Sequence, residues 1–260
     1  MSDSANLSSL LGDAGLDASA TAAMELTADT LGPAIMAGLG DVSLDDVSSS
    51  EAVLVRMLLD DSSSIAYVPG NPEAVRIGGN EVVEALAGSK QSADVLIGCD
   101  LLNRGVFYAY RPLAGAVKLD NSNYNPSGGT PLYREAAVTL TSVAAKVAQF
   151  EAGGVAVRAI TVIVTDGEDS TYDTPDNVRA IVQGLLKTEQ HIVAAIGIDD
   201  GHTDFRQIFA DMGIPDTWIL TPGNSPSEIR KAFAVVSQSA VRASQSAGSF
   251  SQTALGGFGG

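Results

Sequence analysis

The sequence predicts an α/β fold in which a mostly parallel sheet is covered by helices on both faces. Two mostly apolar runs, VLVRMLL at 53–59 and ITVIVT at 160–165, have the length of strands and lack polar alternation. Such runs are typical of strands that are buried on both faces. Apolar residues at 131–152 recur near the 3.6-residue period of a helix. Strands that alternate with helices imply right-handed crossovers and therefore a parallel sheet.

The other elements are predicted from breakers, turns and caps. Proline and glycine are dense at 66–79, which predicts that the helix after the first strand is delayed until residue 80. Asn and Gly at 103–105 favour a tight hairpin, and 225–228 has the form of a capping box. We predict strands at 53–59, 94–102, 106–111, 159–165, 192–198 and 218–220, and helices at 80–87, 131–152, 175–187, 204–212 and 226–241.

Both ends of the chain depart from this pattern. Residues 1–50 contain eight acidic residues, no lysine or arginine, and weak helical patterns near 7–16 and 27–39. We expect an acidic N-terminal arm that is partly helical or partly disordered and that either packs on the domain or serves as a docking segment. Residues 244–260 are rich in glycine and serine and predict a flexible tail. The folded domain is therefore assigned to residues 51–243.

Composition excludes several classes of partner. The net charge of −16 over 260 residues argues against binding to nucleic acid or to an anionic membrane surface, because both are themselves negative. No apolar run reaches the roughly 18 residues of a membrane-spanning helix. The first residues show neither the basic nor the apolar region of a secretory signal, so we expect a cytoplasmic protein.

Side chains with hard oxygen donors follow both buried strands. Asp60, Ser62 and Ser64 come directly after the first strand in a D-x-S-x-S pattern, and Asp166 follows the second strand. Thr130 lies in a GGTPL turn that opens the helix at 131–152. Open α/β sheets bind ligands at the carboxyl ends of their strands, and these donors suit Mg²⁺ or Mn²⁺. The D-x-S-x-S pattern alone is weak, because serine-rich loops after strands are common.

Together these residues resemble the metal-ion-dependent adhesion site of the von Willebrand factor A (VWA) domain family. That pattern is D-x-S-x-S, then a threonine in a GGTPL-like turn, then an aspartate in a TDG-like turn. The resemblance extends over residues 52–243 and implies a Rossmann-like three-layer sandwich with one antiparallel edge strand. It also implies that Mg²⁺, or alternatively Mn²⁺ or Ca²⁺, is bound directly or through water by Asp60, Ser62, Ser64, Thr130 and Asp166.

The resemblance implies a binding role without catalysis. A bacterial-type module would use the metal to bind an acidic side chain of a protein partner. Stand-alone members of the family often work beside MoxR-type AAA+ ATPases or in stress-response assemblies, which makes such an ATPase a candidate partner by analogy. Asp61 is a further carboxylate beside the motif. It either strengthens metal binding or faces solvent, and we favour solvent.

Two other classes of function stay open from the sequence. A metal-assisted hydrolase of a phosphorylated small molecule would use the same loops. The sequence has no phosphate-binding glycine motif and no G-x-S-x-G, and a serine–histidine pair would require His191 or His202 near Ser62 or Ser64. A secreted adhesin would share the metal site but would need an export signal.

Overall fold

The computed structural model describes residues 2–42, 51–90, 92–245 and 256–259. Within these ranges six strands form one sheet: β1 (Glu51–Leu59), β2 (Val95–Leu101), β3 (Gly105–Pro112), β4 (Ala156–Thr165), β5 (His191–Gly197) and β6 (Ile219–Leu220). The strand order is β3-β2-β1-β4-β5-β6. Every neighbouring pair is parallel except β2–β3. The predicted fold class, with its antiparallel edge strand, is confirmed.

Helices cover both faces of this sheet. They are α1 (Ser2–Asp13), α2 (Ala18–Leu39), α3 (Asn71–Ala87), α4 (Leu132–Ala152), α5 (Asp176–Lys187), α6 (Phe205–Asp211) and α7 (Pro226–Gln245). Helix α3 packs against α7, and α4 packs against α2 and α5. Right-handed crossovers run in opposite directions along the sheet, from β1 to β2 through α3 and from β4 to β5 through α5. This places α3 and α5, with the helices packed on them, on opposite faces. None of the described helices is long and apolar enough to cross a bilayer.

The central strands are buried along nearly their whole length. All residues of β2 and β5 are buried, and only Glu51 of β1 is exposed. Continuous burial explains why the strand sequences lack polar alternation. Residues 51–59 pair in parallel with residues 156–164, and this pairing brings the carboxyl ends of β1 and β4 side by side.

The first helix after β1 begins at Asn71, so the predicted start at residue 80 is wrong. A 3-10 turn at Ser63–Tyr67 precedes it. Pro72 occupies the first turn of the helix, where a backbone N–H would have no acceptor within the helix, so its absence costs no hydrogen bond. Gly78 lies inside the helix because α7 approaches closely. A Cβ atom at this position would lie 2.2 Å from the Phe233 ring. This glycine therefore permits a close helix contact and does not mark a loop.

The N-terminal segment folds as α1 and α2 against the helices of one face. Helix α2 bends at Leu31, where φ is −125° and ψ is 19°, just before a Gly-Pro pair. After the bend, Ser142 Oγ of α4 donates a hydrogen bond to the Ile35 carbonyl at 3.1 Å. Arg56 Nη1 of β1 donates to the Gly38 carbonyl at 3.0 Å. Buried polar contacts thus connect α2 to α4 and to the sheet. The boundary between an N-terminal arm and the domain at residue 50 stays a prediction.

The C-terminal part is ordered further than the predicted helix end at residue 241. Helix α7 continues to Gln245, and a short 3-10 turn forms at Gly257–Gly259. The Phe258 ring lies edge-on to Trp218, with ring centroids 5.3 Å apart, and Arg242 Nη2 donates to the Gly257 carbonyl at 2.8 Å. Residues 246–255 of the predicted flexible tail lie outside the described residues. The described end of that tail packs on the domain.

Candidate metal centre

The predicted ligands lie at the carboxyl edge of the sheet, in the loops after β1 and β4 and at the start of α4. Ser64 Oγ donates a hydrogen bond to Asp166 Oδ1 at 2.5 Å, and Ser62 Oγ lies 2.9 Å from Ser64 Oγ. A Cβ atom at Gly167 would lie 3.3 Å from Thr130 Oγ1 and 3.8 Å from Ser64 Oγ. The three hydroxyls and the Asp166 carboxylate are therefore grouped around one small region.

Asp60 is the buried member of this group, with none of its surface exposed. Its Oδ1 accepts from the Ser62 N–H at 2.7 Å, and its Oδ2 accepts from Thr165 Oγ1 at 2.7 Å and from the Asp166 N–H at 3.4 Å. The Tyr124 hydroxyl donates to the Asp60 carbonyl. All of these donors are neutral, so the hydrogen bonds orient the carboxylate without balancing its charge.

The electrostatics of the two carboxylates favour a cation between the loops. Burial raises the pKa of Asp60 above its usual value, and the hydrogen bonds to its carboxylate oppose that rise. Burial is also the main cause that raises the pKa of Asp166 to about 7. The hydrogen bond from Ser64 lowers the pKa of Asp166, whereas the negative charges of Asp60 and Asp200 raise it. A bound cation would stabilise both ionised carboxylates.

Asp61 is 1% exposed, so the preference for a solvent-facing side chain is wrong. Its carboxylate accepts from the Asn103 N–H at 2.7 Å, from Asn103 Nδ2 at 3.3 Å and from Arg104 Nε at 2.8 Å. Both partners belong to the β2–β3 turn. Asp61 therefore binds this turn, and Arg104 balances its charge.

The Thr130 loop (residues 127–130) is hydrogen-bonded through its backbone to the loop after β1. The Ser127 N–H donates to the Asp61 carbonyl at 2.6 Å, and the Ser63 N–H donates to the Gly128 carbonyl at 3.1 Å. These two bonds run in opposite directions between the same pair of loops. They fix the loop that carries the threonine beside the loop that carries both serines.

Two side chains outside the predicted ligand set also contact the Thr130 loop. Asn103 Nδ2 donates to the Gly129 carbonyl at 2.7 Å. The Thr130 N–H donates to Ser170 Oγ at 2.7 Å, and the Ser170 N–H donates to the Thr130 carbonyl at 2.9 Å. The sequence around Asn103 predicts only a hairpin turn. Its position at the carboxyl end of β2, next to β1, is the signal that would have placed it near the site.

The donor set restricts what the site can bind. Among the described residues, no group of three or more His, Cys, Asp or Glu side chains is arranged to hold a metal ion. A cation at this edge would therefore need the hydroxyl ligands as well as the two carboxylates. His191 is the first residue of β5, at the opposite edge of the sheet from Ser62 and Ser64, so it cannot form a serine–histidine pair with them.

Three solved structures relate this fold to known proteins. The pilus adhesin SpaC from Lactobacillus rhamnosus GG is 13% identical over 76% of this chain and 31% of its own, with a TM-score of 0.53. Proximal thread matrix protein 1 from the mussel byssus is 20% identical over 74% of this chain and 47% of its own, with a TM-score of 0.50. The VWA domain of SpRpn10 is 12% identical over 71% of this chain and 95% of its own, with a TM-score of 0.50.

These similarities define the class of fold. The chain has the α/β sandwich of VWA domains, and it spans about a third of SpaC and about half of the mussel protein. No protein-family model and no curated protein sequence matches the chain. At these levels of identity the similarity concerns the fold alone, and the function has to be argued from the site.

Proposed function

We propose that this protein binds a divalent cation at the carboxyl edge of its sheet and uses the cation to bind a carboxylate of a protein partner. Mg²⁺ is the expected ion, with Mn²⁺ or Ca²⁺ as alternatives. The proposed ligands, direct or through water, are Asp60, Ser62, Ser64, Thr130 and Asp166. One observation carries the proposal: three hydroxyls and two buried carboxylates converge, and the hydrogen-bond donors that reach those carboxylates are neutral.

The residues present fit such an ion. Carboxylate, hydroxyl and water oxygens are the ligands that Mg²⁺ prefers, and Mg²⁺ usually retains several waters. Asp60 and Asp166 would supply the negative charge, while the hydroxyls of Ser62, Ser64 and Thr130 would supply neutral oxygen atoms. When bound, the ion would offer a water-filled position that a carboxylate from outside the chain can take.

The surface around the site suits a protein partner. Tyr67 is 78% exposed and lies just beyond Ser64, at the end of the 3-10 turn. Tyr172 is fully exposed and lies in the loop that follows Asp166. Exposed aromatic side chains are enriched at protein–protein interfaces, where they often carry much of the binding energy. A MoxR-type AAA+ ATPase is a candidate partner by family analogy alone.

The test is a calorimetric titration of the chelator-treated protein with Mg²⁺ and Mn²⁺. We expect saturable binding by the wild type and its loss in Thr130→Ala and Asp166→Asn. Thr188→Ala is the matched control, because that hydroxyl lies at the far end of α5 and bonds only locally, donating to the Leu185 carbonyl and accepting from the Gln190 N–H. Circular dichroism of each variant checks that it folds.

Two results would contradict this proposal. The first is the absence of saturable binding in the folded wild type. The second is unchanged binding in both site variants. If binding is confirmed, partner capture in Mg²⁺ and in chelator, with wild type and Asp166→Asn, tests whether the ion mediates the interaction.

A further inference from the structure

We propose that Asn103 and Ser170 are positioning residues that fix Thr130 relative to the rest of the site and thereby set its preference among divalent cations. The inference rests on the proposed metal-binding function. Neither residue belongs to the predicted ligand set. Each contacts the Thr130 loop from a different neighbouring loop.

Asn103 connects the Thr130 loop to the buried carboxylate of Asp61. Its Nδ2 lies 2.7 Å from the Gly129 carbonyl and 3.3 Å from Asp61 Oδ1. Its own N–H donates to the same Asp61 oxygen at 2.7 Å. Asp61 is buried and forms an ion pair with Arg104, so it cannot follow a moving loop without losing several charge-assisted bonds.

Ser170 connects the same loop to the loop that carries Asp166. Its hydroxyl accepts the Thr130 N–H and its own N–H donates to the Thr130 carbonyl, so both backbone polar groups of Thr130 are bonded to one residue. Ser170 lies four residues after Asp166 in the same loop. The separation between Thr130 and Asp166 therefore depends on these two bonds.

The glycine pair before Thr130 independently supports close contact on both sides. A Cβ atom at Gly128 would lie 2.6 Å from Asn103 Oδ1, and a Cβ atom at Gly129 would lie 2.6 Å from Ser170 Oγ. Gly128 also has a φ of +90°, which L-residues rarely adopt. The two glycines thus leave room for the two side chains that contact the loop.

Fixing Thr130 has a consequence for cation choice. Mg²⁺ requires near-octahedral oxygen ligands at about 2.0–2.1 Å, whereas Ca²⁺ accepts more ligands at about 2.3–2.6 Å in flexible geometry. A threonine whose position is fixed from two sides favours Mg²⁺, which is smaller and has the stricter coordination geometry. Because both residues are exposed to water, each bond contributes modestly, and we expect the Mg²⁺/Ca²⁺ affinity ratio to fall about three- to tenfold in each variant.

The experiment compares Asn103→Ala and Ser170→Ala with Asn123→Ala and Ser122→Ala. The controls remove side-chain hydrogen bonds of the same kind within the neighbouring 118–124 loop, which do not reach residues 127–130. Affinities for Mn²⁺ come from electron paramagnetic resonance, and those for Mg²⁺ and Ca²⁺ come from competition with Mn²⁺. Ser170→Thr keeps a hydroxyl and serves as the rescue variant.

A second readout uses the metal-free protein. In chelator, amide hydrogen exchange at Thr130 is expected to be faster in Ser170→Ala than in wild type and to return toward the wild-type rate in Ser170→Thr. A general loss of stability would instead accelerate exchange throughout the sheet.

The outcomes are distinct. A lower Mg²⁺/Ca²⁺ ratio in both variants, with normal ratios in both controls, supports the inference. Wild-type ratios in Asn103→Ala and Ser170→Ala would overturn it and leave the proposed metal site intact. Equal losses in the control variants would also overturn it, because any loosening near the site would then suffice. Absence of cation binding by the wild type would overturn the proposed function together with this inference.

Discussion

Removal of the Asp100 carboxylate is expected to destabilise the domain more than any change to a surface charge pair. Arg56 lies in the middle of β1 with none of its surface exposed. Its Nε and Nη2 donate to the two oxygens of Asp100 at 2.8 and 2.5 Å, and Thr139 Oγ1 donates to the same carboxylate at 2.9 Å. In Asp100→Ala the guanidinium would be left buried without its counter-charge.

The magnitude follows from this burial. Removing one member of a buried ion pair costs about 3–5 kcal/mol, a large part of the roughly 5–15 kcal/mol that stabilises a typical domain. The melting temperature should then fall by roughly 6–20 °C for a domain of this size. The exposed pair Lys118–Glu84, with 75% and 62% of the side chains accessible, provides the contrast. Glu84→Ala should cost less than about 1 kcal/mol.

Urea unfolding followed by circular dichroism measures both variants. The double variant Arg56→Met with Asp100→Leu should recover much of the lost free energy of unfolding, because no unpaired charge would remain. A cost below about 1 kcal/mol for Asp100→Ala would refute the reasoning. An equal cost for Glu84→Ala would refute it as well.

Two further predictions concern pH. Burial lowers the pKa of His191 to about 4, so the unfolded state binds a proton below its ordinary pKa of about 6.5 while the folded state does not. Wild-type stability should fall by about 2 kcal/mol more than that of His191→Gln between pH 7 and pH 5 in urea unfolding, and parallel pH profiles would contradict this. Because burial raises the pKa of Asp166 to about 7, protons should compete with the ion. Mn²⁺ affinity measured by paramagnetic resonance should then weaken roughly tenfold per pH unit below about 7, and a flat profile would exclude Asp166 as a ligand.

The parts of the fold that the sequence predicts best are those in which a local pattern and the tertiary environment agree. Strands β1 and β4 are apolar because both of their faces are buried. Helix α4 is buried throughout residues 136–148, because α1, α2 and α5 pack on it as well as the sheet. The predicted start of α3 is wrong because the prolines and glycines at 66–79 indicate a loop, whereas Pro72 fits the first helical turn and Gly78 fits the space beside Phe233. Local propensity carries no information about a neighbour that lies over a hundred residues away in the chain.

At the candidate site, too, short local motifs are predictable from the sequence and contacts between distant residues are not. Short motifs identify the candidate ligands Asp60, Ser62, Ser64, Thr130 and Asp166. The structure groups them at one edge of the sheet, and their metal binding stays a proposal. Their supporting residues were not predictable in this way. Asp61 and Tyr124, for example, lie in loops whose sequences give no sign of a role at the site. Only their burial and their hydrogen bonds to Arg104 and to the Asp60 carbonyl show that they support it.

The sequence by itself determined the α/β class, the hairpin turn at 103–105 and the oxygen-rich set of candidate ligands, because periodic patterns and short motifs involve residues that are close together in the chain. The antiparallel edge of the sheet was an expectation from the resemblance to VWA domains, which the sheet topology confirms. Tertiary structure alone decided that Asp61 pairs with Arg104, that Asn103 and Ser170 contact the Thr130 loop, and that Arg56 is buried against Asp100. The physical reason is that hydrogen bonds and ion pairs between loops depend on which strands become neighbours. That order is fixed only when the whole sheet forms and buries its core.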